Sequence, residues 1–123
     1  MQRTAGYFSS PQIGSASPRE TEILAFGLCN DRLAKAHTSP DRIDALHKTH
    51  QLWSLLVRDL ASTDNALPVD LKRQIATIGL WAMHYSTQAR FSDLPLTPLI
   101  DVHNNMIDGL RNQKADIQNS AKY

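Results

Sequence analysis

The stretch from residue 39 to residue 60, SPDRIDALHKTHQLWSLLVRDL, decides the fold class. Ser39-Pro40 opens it. A Ser or Thr side chain accepts a hydrogen bond from a free N–H at a helix start, and proline suits the first helical position because its missing N–H is not needed there. Ile43, Leu46, His50, Trp53, Val57 and Leu60 then recur at three- and four-residue spacing, the period of one helix face. Leu52, Leu55 and Leu56 widen that face, and Ser62, Thr63, Asp64 and Asn65 break it. The pattern predicts a helix over Pro40–Ala61.

The same punctuation recurs on both sides. Ser17-Pro18, with Glu20 completing a capping box, predicts a helix over Pro18–His37. Its face is Ile23, Phe26, Asn30, Leu33 and Ala34, while Leu24 and Leu28 lie elsewhere, beside Asp31 and Lys35. Pro68 predicts a helix over Pro68–Ala89, with Leu71, Ile75, Ile78, Ala82 and Tyr85 aligned and Ala76, Leu80 and Met83 roughly opposite. Phe91–Leu96 reads as a turn around Pro95. Thr97-Pro98 predicts the last helix, Pro98–Arg111, lined by Leu99, Val102, Met106 and Leu110 with Ile100 and Ile107 beside them. No segment alternates as a strand does. The expectation is an all-α, four-helix bundle-like domain over residues 17–111. A loose arm (1–16) precedes it, from which Tyr7, Phe8 and Ile13 can dock, and a polar tail (112–123) is expected to fray.

With 123 residues the chain suits one domain and can build one core without metal or disulfide support. Thirteen basic and 12 acidic residues leave a formal net charge of +1, and no block of like charge marks a phosphate-binding patch. The single cysteine, Cys29, has no internal disulfide partner, which fits a reducing compartment. Met1–Ser10 holds one arginine and no apolar segment, so no secretory signal is expected. No apolar run is long enough to span a bilayer. Together these predict a soluble, cytoplasmic protein.

Catalytic and metal chemistry find little footing. Asp44, His47 and His50 share helical spacing, but no zincin pattern accompanies them, and His50 falls on the apolar stripe as a packing histidine does. His84 and His103 read the same way. Cys29 lacks a neighbouring base, the carboxylates are dispersed, and no Gly-rich phosphate loop occurs. No catalytic residue, metal or cofactor is expected, and the chain reads as a binding protein rather than an enzyme.

What stands out is apolar surface beyond one stripe per helix. Leu24, Leu28, Leu80 and Met83 exceed what the core needs, and Trp81, at the margin of its stripe, is the better anchor of the two tryptophans; Trp53 reads as core. These five are the candidate partner-binding residues. The surplus could equally close a homodimer.

ALHKTHQLWSLL at 45–56, DNALP at 64–68 and LIDVHNNMIDGL at 99–110 together resemble the FlaF family, flagellar biosynthesis regulators of alphaproteobacteria. SPRETE at 17–22, Leu80-Trp81 and His84-Tyr-Ser86 agree with it. The resemblance runs from Ser17 to Leu110, leaving the arm and the tail outside. It implies a helical cytoplasmic protein that binds flagellin, holds it as a secretion chaperone and supports its synthesis. The alternative it implies is a translational regulator acting with FlbT on flagellin mRNA. Flagellin is then the expected partner and FlbT a second one, with direct RNA contact not favoured by the charge balance. An amphipathic flagellin segment would lie in a groove built from Leu24, Leu28, Leu80 and Met83.

Overall fold

The computed structural model describes residues 6–9 and 18–120, with side chains through Gln113. Four helices make up its body: α1 (Pro18–Ala34), α2 (Ser39–Leu60), α3 (Val69–Phe91) and α4 (Thr97–Ser120). No strand occurs among the described residues.

The helix starts fall where the prolines put them, with the caps displaced by one residue. Thr38, not Ser39, caps α2: it is extended (φ −110°, ψ 159°), and its hydroxyl accepts the Asp41 N–H at 3.2 Å. α1 ends at Ala34, short of the predicted His37. The chain tightens instead through Ala36 N–H to Leu33 C=O at 3.4 Å. At α4 the Leu96 carbonyl accepts the first helical bonds, from Leu99 and Ile100. Ser17, the cap of the predicted box, lies outside the described residues; Glu20 stands in the first turn of α1. α4 does not stop at Arg111. Residues 112–120 hold no Pro or Gly and include the helix formers Gln, Lys and Ala, so the stretch expected to fray continues the helix.

α2 packs most extensively on α3, while α1 packs on α4 and, less extensively, on α2. α1 and α3 share no substantial packing. α2 and α3 come close at Gly79, where an added Cβ would lie 2.5 Å from Val57 Cγ2 and 3.0 Å from Trp53 Cε3. Arg42 of α2 donates to the carbonyls of Ala89, Ser92 and Leu94. A guanidinium there satisfies orphan carbonyls at the end of α3 and meets the negative end of its dipole.

The core is aromatic at its centre. Phe26, Trp53 and His103 have mutual ring distances of 5.5–6.0 Å, and none has exposed surface. Trp53 Nε1–H donates to His103 Nε2 at 2.9 Å, so that nitrogen carries no proton. Nδ1–H therefore donates to Asn30 Oδ1, also at 2.9 Å. Asn30 in turn donates to the Ile100 carbonyl and to Asn104 Oδ1. Burial drives the His103 pKa down to about 4, so this neutral knot joins α1, α2 and α4.

Candidate protein-binding surface

α3 packs substantially on α2 only, which leaves much of its circumference to solvent. Buried on it are Ile75, Gly79, Ala82, Ser86 and Ala89, mostly small residues that bring the helix close to its neighbour. Three of its bulkier apolar side chains are turned outward. Val69, Leu80 and Phe91 are 62%, 59% and 82% exposed. They are spaced by 11 residues, close to three full turns, so they fall on one line along the helix over about 33 Å. Trp81 is exposed beside this line, and its ring stacks obliquely on Tyr85 at 5.2 Å. The Tyr85 hydroxyl donates to the Pro95 carbonyl at 2.7 Å, which fixes the Trp81–Tyr85 pair relative to the α3–α4 turn.

The expected site residues separate into two places. Leu80 and Trp81 lie exposed on α3; Met83 is half-buried and packs partly against the core. Leu24 and Leu28 are exposed on α1. Leu28 lines a shallow cleft of about 370 Å³ with Asp31, Arg32, Lys35, Asp41 and Asp44, a mostly charged lining that includes the Arg32–Asp44 ion pair at 3.3 Å. Because α1 and α3 lack substantial packing on one another, the structure does not assemble the four leucine and methionine positions into one groove. Phe91 and Val69 were not among the expected residues. Phe91 read as a turn because Ser92, Asp93 and Pro95 follow it, yet the helix runs through it.

A second, buried constellation receives the arm residues expected to dock, Tyr7 and Phe8, through polar partners the sequence reading did not single out. Of the arm expected to be loose, Gly6–Ser9 is pinned to the body. Glu22 Oε1 accepts the Tyr7 N–H at 2.5 Å, and Oε2 accepts the Phe8 N–H at 3.1 Å. Asp59 accepts the Ser9 N–H and hydroxyl, each at 2.6 Å. Asn65 donates to the Tyr7 carbonyl at 2.8 Å and to Asp59 at 2.9 Å. Gly6 N–H reaches Gln113 Oε1 at 3.0 Å. The Tyr7 ring meets Phe26 edge-on, and its hydroxyl donates to the Met106 carbonyl at 2.7 Å.

Charge in this place is costly. Burial drives the Glu22 pKa up to about 7, against the two strap N–H groups that favour its ionised form and with a smaller push from the Asp59 charge. Burial, then the Glu22 charge, raises Tyr7 to about 12. At Asp59 burial is outweighed by Ser9, Asn65 and Lys72, which hold its carboxyl below the usual range. Cys29 is buried and its thiol is pushed up by desolvation, despite the Thr49 hydroxyl and the Arg32 and Lys48 charges. No group of three His, Cys, Asp or Glu side chains is placed to hold a metal among the described residues. No described helix is long and apolar enough to cross a membrane.

The family model of flagellar protein FlaF matches residues 4–110. The chain belongs to the FlaF family. The match starts ahead of the pinned arm, so Gly6–Ser9 is part of the FlaF unit rather than an addition to it. No curated protein and no solved structure matches the chain. Membership of FlaF gives it a flagellar role.

Proposed function

We propose that this FlaF-family chain is a cytoplasmic binding protein for flagellin, a chaperone that shields an amphipathic segment of the unassembled subunit and thereby supports its synthesis and export. The observation that carries the proposal is the line of Val69, Leu80 and Phe91 on the free side of α3, flanked by Trp81. An amphipathic helix presents apolar anchors at i, i+3, i+4 and i+7. A partner helix of about 20 residues, at 1.5 Å per residue, matches the length of this line. A large aromatic at such a surface is the usual energetic anchor. A non-enzymatic role fits the buried, protonated state of Cys29.

The test is titration of purified flagellin against the native chain, Leu80→Asp and Phe91→Asp. Both positions are exposed, so both variants are expected to keep native helicity by circular dichroism. Each is expected to weaken binding at least tenfold, with little change between low and high salt in the native complex. Undiminished affinity in both folded variants would remove α3 as the site. Steep loss with salt would instead favour contact with the transcript.

A further inference from the structure

The grip on Gly6–Ser9 has the chemistry of a peptide-binding site. It holds main chain: four consecutive N–H groups are accepted, by Gln113, Glu22 twice and Asp59, and the Tyr7 carbonyl is donated to by Asn65. Side-chain selection is confined to three positions. Gly6 sits at φ 104°, and a Cβ there would lie 2.5 Å from Glu22 Oε2, so only glycine fits. Tyr7 fills a socket beside Phe26 whose floor is Gly109; a Cβ on Gly109 would lie 2.5 Å from the Tyr7 hydroxyl. Ser9 offers its hydroxyl to Asp59.

We propose that this slot is a recognition site for bent peptide segments of the form glycine, aromatic, any residue, serine, and that Gly6–Ser9 is an in-cis ligand which a competing segment displaces. Main-chain hydrogen bonds that give affinity, with side-chain pockets that give selectivity, are a general mode of peptide capture. The strap is joined to α1 only through residues 10–17, so it competes as a tethered ligand at high effective concentration. Opening the slot withdraws one core side chain, Tyr7, from beside Phe26 and returns two carboxylates and an amide to water, groups that hydrate well, whereas opening any helix pair would bare many core side chains at once. Burial that raises Glu22 toward neutrality weakens the closed state further. The inference stands on this geometry and does not require that α3 bind flagellin.

The test uses full-length Tyr7→Ala, whose slot has lost its aromatic anchor. The probe is a labelled nonapeptide of residues 2–10, Gln-Arg-Thr-Ala-Gly-Tyr-Phe-Ser-Ser, beside the same peptide with alanine for its glycine. The variant is expected to bind the first peptide at least tenfold more tightly than the second, and at least tenfold more tightly than the native chain does. A folded variant that binds neither peptide, or both equally, overturns the proposal. If Tyr7→Ala does not fold, amide exchange in the native chain decides. Tyr7, Phe8 and Ser9 amides exchanging at least tenfold faster than those around Trp53 support a releasable strap; equal rates make it permanent core and overturn the proposal.

Discussion

Gly109 shows how much one missing carbon settles. Its place in α4 favours alanine by about 1 kcal/mol on helix propensity. Yet the added Cβ would stand 2.5 Å from the Tyr7 hydroxyl while lying 3.8 Å from Cζ, an ordinary contact. Gly109→Ala is therefore expected to unseat the strap while strengthening the helix. Adding Tyr7→Phe, which deletes only the obstructing oxygen, is expected to reseat it. The measurement is amide exchange at Phe8 and Ser9: fast in the single variant, slowed again in the double. A single variant with native exchange would mean that Tyr7 shifts without leaving. Glu22 was the residue least legible in the sequence. It stands four positions before Phe26, on the face that turns inward, but an acidic residue there reads as solvated until the strap supplies donors. Leu24, Leu28 and Leu80 were legible as surplus because each falls off its helix stripe, and Trp81 because it sits at the margin of its own; that their two helices do not meet was not legible, because it depends on which helices pack together.

The four helices were legible because proline and its neighbours act locally, within one turn. The facing of each helix was less so. On α2 the inward residues are Ala45, Leu46, Thr49, Trp53, Leu56 and Leu60, while Ile43 is exposed; on α3, Gly79, Ser86 and Ala89 are buried in preference to the bulkier residues. Close helix packing selects small residues at the contact, and a reading weighted by hydrophobicity places the stripe too far toward the large ones. Gly79 tests this. Gly79→Ala gains about 1 kcal/mol of propensity. It must also push back Val57 and the Trp53 ring, and overpacking of this kind costs about 1–3 kcal/mol. The expected outcome is a net loss of up to about 2 kcal/mol in denaturant unfolding, the difference of those two effects. A gain would mean that α3 slides on α2 without penalty.

Over the whole molecule, two buried groups oppose each other with pH. Glu22 has its pKa raised from 4.5 to about 7, so its contribution is fully present below pH 4.5 and is lost as pH rises through 7. His103 has its pKa lowered from 6.5 to about 4, so its contribution is present above pH 6.5 and is lost as pH falls through 4. The groups around Glu22 are Tyr7, which titrates far above this window, and Asp59, whose lowered pKa acts below pH 3.8. Each shift corresponds to about 3 kcal/mol at most. Between pH 4.5 and 6.5 the native chain is expected to show a nearly flat stability profile. Glu22→Gln should convert it to one rising with pH, and His103→Gln to one falling with pH. Midpoints of urea unfolding across that range provide the measurement, and parallel profiles in all three chains would remove both groups as its source.

The lopsided placement of α3 has a further consequence. A rod propped from one flank keeps its own backbone bonds, but its outer amides depend on little else for shelter. Deuterium should enter the outer face of α3 before the face laid against α2. Whatever molecule settles along Val69, Leu80 and Phe91 would supply the missing wall, and the delay in labelling would report its arrival residue by residue.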